Sequence, residues 1–595
     1  MKKKEIRTVP FIIVLLILIF TSVPAYAADH PADHASWWIK RYGEVKPGDN
    51  KLAERAAKVF ERVLAASDKN GLPRLVIVKT QGNPWAIAIR DSSAIVSEGA
   101  LTLCYKGVSE EKGDARLAFV LGHELSHLAK NDFWHSFAFS AISDHADQSK
   151  ADSVLREQLK ETPKDIRNKE LQADYYGIIN MTIAGYNPGL IINDSTNFFE
   201  EWESQITRKI AYAEDEDHPS PEVRAKALRS QLKSVADDLD LFTFGVRYYQ
   251  TGRYNDAIDM LEAFSRKFPG REVFNNIGLS HYQLAMKVLS ACDKSVALRF
   301  KLPSVLDTET AGKTLRSGDS GASSCIGNEI FQKHIKTAIK HFETAKDKDP
   351  TYMPARINLS SALLMEGDYT KAMAVADEAL KVQPQNSDAL NNKAIALYLW
   401  GKANNMDTAD KAIEILNGIL LKEPDFSSAF YNIAAIRTEM GMEAAADEAV
   451  KSFLKIEHTG AFADAVKKGL GLKSDDMVSV QGTSTTESPV NPGDVTEETK
   501  KILQGMKKRE FSTGGLRGEI YEGDGIKVLV IDDMVEIVEA IVSKPVDITA
   551  FKRKYGKPAK EVQTLPGVSI VYDNFAADVI DGKIDRIAYF ILWEY

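Results

Sequence analysis

Two histidines stand four residues apart in the sequence HELSH at 123–127, inside an apolar stretch from Leu117 to Leu128. Because residues four apart share one face of a helix, the side chains of His123 and His127 would point the same way. Two imidazoles on one face can supply two of the three protein ligands of a catalytic zinc. Glu124 would then be placed as a general base toward water. A surface helix that carries two histidines without binding metal is the alternative.

Two carboxylates repeat this spacing further along the chain. Glu170 and Asp174 lie in a second stretch of helical apolar periodicity that runs to about Ala184. One carboxylate can be a third metal ligand, and its neighbour one turn later can hold the far N–H of a ligating histidine. An exposed acidic face is the alternative, but the preceding histidine pair favours a His-His-Glu site.

Three motifs occur in order: HELSH at 123–127, ELQAD at 170–174 and DHPSPEVR at 217–224. Together they resemble the HtpX/CAAX-protease-type zinc metallopeptidases, gluzincins that carry an HExxH, an ExxAD and a downstream HPxxxxR. The resemblance covers about Ala53 to Leu228. A metzincin would need a third histidine soon after the HExxH, and residues 128–130 contain none.

The resemblance implies a metalloendopeptidase that holds one Zn²⁺ per chain. Its implied ligands are His123, His127 and Glu170. Glu124 would be the catalytic base, and Asp174 would bind the far side of His123.

His218 and Arg224 are the two further catalytic residues that the resemblance implies. Both would line the cleft, and either could stabilise the oxyanion. His218 could also gate the zinc site in the resting enzyme or simply donate a hydrogen bond to substrate, and both roles stay open.

The N-terminus has the pattern of a signal peptide. Basic residues precede the apolar run Phe11–Phe20, and Ala25-Tyr26-Ala27 provides a small-x-small cleavage site. The run is short for a membrane span. We therefore expect cleavage after Ala27 and a periplasmic protein with no stable transmembrane span. A membrane-anchored or extracellular protein is the alternative.

Length and charge set the broad class. A chain of 595 residues exceeds a single core and should hold about three domains. Its formal charge of −9, without a long basic patch, argues against nucleic acid as a partner.

A repeat of about 34 residues, the tetratricopeptide length, begins near Asp238. Gly252, Ala257 and Pro269 recur at the mutual spacing of Gly367, Ala372 and Pro384. Small residues allow two helices to pack closely, and proline ends each unit. The second copy is split by a polar insertion.

The sequence therefore predicts a multidomain chain. A mainly helical zincin-type metallopeptidase domain with a small sheet precedes an all-α tetratricopeptide solenoid and a small α+β C-terminal domain of unknown role. The expected boundaries are 1–27 for the signal peptide, 28–235 for the peptidase domain, 236–472 for the repeats with an insertion at about 289–328, 473–498 for a flexible linker and 499–595 for the last domain.

Three cysteines stand outside any metal-binding pattern. Cys292 and Cys325 flank the insertion, so a disulfide between them would pin its base in an oxidising compartment. Cys104 would then be a buried apolar residue. Three unpaired thiols are the alternative.

The combination of this peptidase type with repeats resembles the BepA-like periplasmic metallopeptidases. That resemblance implies protein quality control in the envelope, acting on misfolded or misassembled proteins, with repeats that recruit protein substrates or the outer-membrane protein assembly machinery. A periplasmic scaffold or chaperone whose zinc site is latent is the rival function.

Overall fold

The computed structural model describes residues 31–67, 72–80, 82, 84–130, 163–192, 197–205, 220–307, 327–457, 461–469, 490–494, 497–523, 525–556, 558, 560–565, 567–580 and 582–591. These residues form two compact units, Met1–Gln231 and Leu232–Tyr595. Helix α7 (Pro221–Gln250) contains the boundary between them. Among the described residues, no helix combines the length and the apolar character needed to cross a membrane.

The first unit joins helices to a small sheet. Its helices are α1 (Ala35–Tyr42), α2 (Lys51–Ala66), α3 (Glu98–Tyr105), α4 (Glu110–Lys130), α5 (Pro163–Ile183), α6 (Phe198–Ser204) and the start of α7. The strands are β1 (Glu44–Val45), β2 (Arg74–Val78), β3 (Ala86–Ile89) and β4 (Ser93–Ser97). The spacing of apolar residues over 51–66 is helical, and the short runs at 74–79, 85–89 and 94–96 are typical of strands. Helix α2 and strands β2 to β4 occupy these positions to within about two residues at each end.

The sheet of the first unit has the order β1-β2-β4-β3, so that β3 is an edge strand. Strands β2 and β4 run parallel, whereas β3 is antiparallel to β4. Trp38 of α1 packs on Ile87 and Ile89 in one core cluster. Helix α4 packs on β3 and β4. This arrangement sets the HExxH helix beside the edge of the sheet.

The second unit begins with a stack of antiparallel helix pairs. Glycines at φ +80°, +99° and +74° stand in the turns inside the first, third and fifth pairs, at Gly252, Gly367 and Gly441. Such left-handed backbone favours glycine, which explains why this residue recurs in the repeat. The pairs are α7 with α8 (Tyr254–Ser265), α9 (Arg271–Cys292) with α11 (Glu329–Lys348), α12 (Met353–Glu366) with α13 (Tyr369–Val382), α14 (Ser387–Ala403) with α15 (Ala409–Leu420), and α16 (Ser427–Glu439) with α17 (Glu443–Ile456); α10 (Lys294–Ala297) lies after α9, and α18 (Ala461–Gly469) follows the last pair.

Small residues pack between the helices of these pairs. Ala338, Ala372, Ala379 and Ala412 are fully buried. Their methyl groups let neighbouring helices approach closely, as the repeat pattern predicted. The predicted solenoid is confirmed.

The C-terminal part of the second unit is a nine-stranded sheet with two short helices, α19 (Glu497–Gln504) and α20 (Ile548–Tyr555). The order is β5-β10-β11-β12-β13-β9-β8-β7-β6. The strands are β5 (Leu306–Asp307), β6 (Lys507–Ser512), β7 (Arg517–Gly523), β8 (Ile526–Ile531), β9 (Met534–Asp547), β10 (Lys560–Leu565), β11 (Val568–Val571), β12 (Phe575–Ile580) and β13 (Lys583–Phe590). The predicted α+β class is confirmed, and β5 comes from the insertion in the second repeat.

Residues 490–494, which the sequence assigned to the end of the linker, pack on this sheet. Val490 is fully buried among apolar residues that include Leu503 and Val528. The Gly493 backbone N–H donates a hydrogen bond of 2.7 Å to the Val535 carbonyl. The Val535 N–H donates in turn to the Asp494 carbonyl at 3.2 Å, so main-chain hydrogen bonds and a buried apolar side chain hold a segment whose composition is otherwise typical of a linker.

The described residues include two of the three cysteines. Cys104 is free and buried, and burial raises the pKa of its thiol to about 12. Cys292 is disulfide-bonded. Cys325, its predicted partner, lies outside the described residues, so the pairing stays a prediction.

Candidate metal centre

The site lies where α4 and α5 pack against each other. His123 and His127 lie one turn apart on α4, and Glu170 comes from α5. Their exposed fractions are 7%, 2% and 2%. Burial of this kind is costly for a carboxylate unless a charged partner compensates for it.

The potential ligand atoms of these three residues all lie within 4.8 Å of one another. The Nε2 atoms of His123 and His127 are 3.1 Å apart. Glu170 Oε1 lies 3.3 Å from His127 Nε2, and Glu170 Oε2 lies 3.7 Å from His123 Nε2. The structure therefore brings together the three residues that the sequence predicted as ligands.

Asp174 fixes the orientation of one of these imidazoles. Its Oδ1 is 3.0 Å from His123 Nδ1. Since a carboxylate can only accept, the proton sits on Nδ1 and the Nε2 lone pair faces Glu170 and His127. The Nε2 atoms of two imidazoles and a carboxylate thus converge in a buried space, and this donor set fits zinc.

Arg224 holds Asp174 from the other side. Its Nε donates a hydrogen bond of 2.6 Å to Asp174 Oδ2, and an Nη donates to Oδ1. Burial alone would raise the pKa of Asp174, but the Arg224 guanidinium and His123 hold it below its usual range. The Arg224 guanidinium also lies 4.2 Å from the ring centre of Phe199. These contacts give Arg224 a positioning role that sequence reasoning missed.

Glu124 has one oxygen that finds no partner. Its Oε2 is buried without a hydrogen bond, whereas the backbone N–H of Ala88 donates to the other oxygen. Burial raises the pKa of the Glu124 carboxyl, and the neighbouring histidines His123 and His127 offset part of that rise. A buried carboxylate oxygen with an open lone pair is suited to accept a proton.

Two glycines allow the helices to approach. A Cβ added to Gly122 would lie 2.9 Å from the Gly177 carbonyl oxygen, and one added to Gly177 would lie 3.0 Å from the backbone nitrogen of His123. Neither backbone atom can move aside as a flexible side chain would. Sequence reasoning did not select these glycines, although each adjoins a motif: one precedes His123 and the other follows Asp174 by three residues.

His218 lies outside the described residues, so its predicted place in the cleft stays a prediction. The neighbouring part of the motif is described from Ser220 onwards. The hydroxyl of Ser220 donates a hydrogen bond of 2.6 Å to Glu222 at the start of α7. This helix carries Arg224 to Asp174.

Two known families match separate parts of the chain. Residues 50–232 match the model of peptidase family M48. Residues 332–396 match the tetratricopeptide repeat. The first match contains every described residue of the metal centre, and the second lies within the helical stack.

Similarity to individual proteins is low. The tetratricopeptide repeat-containing protein YpiA of Bacillus subtilis (strain 168) is 21% identical over 208 residues, which are 35% of this chain and 45% of that protein. A thermophilic tetratricopeptide protein of Thermus thermophilus is 16% identical and covers 40% of this chain and all of its own, with a TM-score of 0.28. MamA of Desulfovibrio magneticus RS-1 is 12% identical and covers 38% of this chain and 96% of its own, with a TM-score of 0.25.

Proposed function

We propose that this chain is an exported zinc-dependent endopeptidase that acts on misfolded or misassembled envelope proteins. It carries a peptidase family M48 domain followed by tetratricopeptide repeats. The observation that carries this proposal is the buried convergence of His123, His127 and Glu170 beside the unpartnered oxygen of Glu124. A structural zinc site would be closed by a fourth protein ligand, whereas a catalytic site keeps one position open.

The bound metal ion and Glu124 have different roles in the proposed hydrolysis of the peptide bond. A bound Zn²⁺ supplies a Lewis acid that polarises the scissile carbonyl and lowers the pKa of water. Glu124 accepts a proton from the attacking water on its free oxygen and then passes it to the leaving amine. The raised pKa of Glu124 makes its carboxylate a stronger base, which favours the first of these transfers, from water to Glu124.

Asp174 and Arg224 act through His123 in this proposal. Asp174 keeps the proton of His123 on Nδ1, and Arg224 keeps Asp174 ionised and oriented. His218 is then the proposed donor to the oxyanion, because the guanidinium of Arg224 is engaged by Asp174.

The substrate is an extended polypeptide that adds to the edge strand β3. This strand pairs only with β4 among the described strands, and its residue Ala88 touches Glu124. A peptide that pairs with this edge would run past the catalytic base with its main chain held at fixed distance. This supports an endopeptidase, since edge pairing requires neither terminus of the substrate.

The finer biological role follows from the N-terminal pattern and the repeats. Residues 1–27 are proposed as a cleaved signal peptide that delivers the chain to the periplasm. The repeats are proposed to recruit protein substrates or the outer-membrane protein assembly machinery. The rival scaffold function would need the same repeats but no hydrolysis.

The test is the zinc content and hydrolytic activity of the purified mature chain. We expect about one zinc per chain and cleavage of a casein-like unfolded substrate that a chelator abolishes. Glu124→Gln should retain the zinc and the fold but lose hydrolysis by several orders of magnitude, because an amide cannot accept the proton. Glu111→Gln, an exposed position on the same helix, is the matched control.

Two results would count against the proposal. Protein that takes up no stoichiometric zinc has no such site. A Glu124→Gln chain that still restores envelope protein quality control in cells would favour the scaffold.

A further inference from the structure

An extended segment of the insertion crosses the first helices of the repeats. It comprises residues Leu298–Leu306 and is called the strap below; it follows α10 and ends in β5. The strap contacts α9, α12, α14 and α16, each the first helix of its pair. All of these elements belong to the second unit.

Asparagines of the repeats bind the main chain of the strap. Asn432 accepts a hydrogen bond of 2.7 Å from the Lys301 N–H and donates one of 3.0 Å to the Lys301 carbonyl. Asn358 makes the same pair of bonds with Val305, at 2.7 Å each. Each asparagine side chain thus hydrogen-bonds to both the N–H and the C=O of one strap residue, as an adjacent β-strand would.

Further donors complete this row. Asn391 donates to the Lys301 carbonyl at 3.3 Å, and Asn275 donates to the Val305 carbonyl at 3.2 Å. Ser361 donates to the carbonyl of Pro303, midway between them, at 2.7 Å. The bound residues 301, 303 and 305 alternate, which is the period of an extended chain.

These contacts recognise a main chain rather than particular side chains. The four asparagines are at most 1% exposed. Buried amides are costly unless their hydrogen bonds are satisfied. Asn432 donates to Asn391 and Asn358 donates to Asn275, and the backbone of the strap satisfies further donors and acceptors. The surface of α9, α12, α14 and α16 that faces the strap is called the groove below. A permanently filled interior could instead use apolar residues of the same shape at little cost.

The side chain of Lys301 enters a pocket built for a cation. Its Nζ donates to Ser427 at 3.0 Å and to the Glu457 carboxylate. It also lies 5.4 Å and 5.7 Å from the ring centres of Phe453 and Phe462. A carboxylate and two aromatic faces select a lysine or arginine at this position.

Apolar and charged contacts flank this pocket. The Phe300 ring lies edge-on to Tyr398, with the ring centres 6.1 Å apart. Arg299 makes two hydrogen bonds to Glu439, at 2.7 and 2.8 Å. Val305, four residues after Lys301, packs with Met353 and Ile357.

We propose that the strap is an intramolecular ligand of the repeat groove and that the groove binds an extended protein segment of matching chemistry in its place. That segment carries an aromatic residue, then a lysine or arginine, and an apolar residue four positions after the cation. The groove is therefore closed in the resting chain, and recruitment of a partner requires release of the strap. The idea refines the recruitment part of the proposed function.

The strap is covalently joined to the repeats, so a partner must compete with it for the groove. The strap is joined to α10 at one end and enters β5 at the other, where β5 pairs with β10. A ligand held by its own chain has an effective concentration of roughly millimolar or more. A free segment of equal chemistry would bind the unaltered chain only weakly.

The test uses a fluorescent peptide of residues 297–307 and the full mature chain carrying Glu124→Gln, so that hydrolysis plays no part. Arg299→Ala with Lys301→Ala weakens the strap and leaves the groove intact. We expect this variant to bind the peptide at least about tenfold more tightly than the chain with an unaltered strap, because charge-assisted hydrogen bonds are lost from the competitor. Adding Asn432→Ala should reverse the gain, and a peptide with glutamate in place of the lysine should bind at least about tenfold more weakly.

Hydrogen exchange in the chain that carries Arg299→Ala and Lys301→Ala provides the second measurement, because the peptide can saturate that chain. Excess peptide should accelerate exchange of the backbone amides at positions 301 and 305, which lose their asparagine acceptors when the strap leaves. Equal peptide affinity with and without the strap substitutions, or strap amides that exchange as slowly as the repeat helices at saturating peptide, would show a permanent filler and overturn the proposal. Because both readouts measure binding alone, they fail or succeed independently of peptidase activity.

Discussion

Gly122 and Gly177 meet backbone to backbone where the HExxH helix crosses the helix that carries Glu170. The separation between these helices sets the distance between the two imidazoles and the carboxylate. Each glycine is one to three residues from a residue of the site, so a shift of the helix axis is transmitted directly to the ligands. The metal centre thus depends on two residues that have no functional group.

Replacing either glycine by alanine should damage the site. A new Cβ would meet backbone atoms 2.9–3.0 Å away, and forcing the helices apart costs about 1–3 kcal/mol. We expect Gly122→Ala to lower zinc affinity and hydrolysis together, measured by zinc titration and peptidase assay. Gly418→Ala is the matched control, since a Cβ there meets nothing within 4 Å and alanine favours a helix. Unchanged zinc affinity in Gly122→Ala would contradict the close-contact argument.

Loss of the Asp174 carboxylate should weaken zinc binding by roughly 10–100-fold, as substitutions behind a ligating histidine do. Asp174→Asn removes the charge that fixes His123, and Arg224→Met removes the two bonds that fix Asp174. We expect Asp174→Asn to have the larger effect, with Arg224→Met in the same direction. Lys226→Met, at an exposed position slightly further along α7, is the control. Arg224→Met with full zinc affinity but no hydrolysis would instead assign Arg224 to the reaction itself.

The C-terminal sheet depends on a buried arginine. Arg247 is fully buried and lies 2.6 Å from Glu539 and 3.1 Å from Asp578. Arg247→Met would remove the buried cation that both carboxylates share, and Glu539 would keep its contact of 3.5 Å with Arg586, so we expect a cost of about 3–5 kcal/mol. Hydrogen exchange of β12 and urea unfolding would report this loss. Lys552→Met removes an exposed pair with Glu561 and should cost about 0–1 kcal/mol.

Stability of the second repeat should fall at mildly acidic pH. His281 and His334 have Nδ1 atoms 3.0 Å apart, and the rings of His281 and His341 stack at 6.0 Å. Burial lowers the pKa of His281 and of His341 to about 4, with the neighbouring histidines and the lysines at 333 and 340 adding to the effect. Their pKa in the unfolded chain is about 6.5.

The unfolded state therefore binds more protons than the folded state between pH 6.5 and 4, so that stability rises with pH in this window. The contribution of the neutral, buried histidines to stability is fully present above about pH 6.5 and is lost as the pH falls toward 4. Hydrogen exchange of α9 and α11 at pH 7, 5.5 and 4.5 measures this loss after correction for intrinsic exchange rates. His281→Gln should flatten the pH dependence, whereas His34→Gln, at an exposed histidine, should not.

The sequence by itself determined those features that one helix or one repeat encodes locally. The spacing of His123 and His127 follows from 3.6 residues per turn, and so does that of Glu170 and Asp174. The recurring glycines and alanines of the repeats follow from turn geometry and close packing within each pair. The strands of the first sheet followed from short β-branched and apolar runs.

Only the tertiary structure decided which distant residues meet. The contacts of Arg224 with Asp174, of Ala88 with Glu124 and of Gly122 with Gly177 join elements whose separation is fixed by packing, not by spacing along the chain. The same holds for the strap. An asparagine in the first helix of four repeats was visible in the sequence, but its side chain acquires a role only when folding places an extended backbone at hydrogen-bond distance.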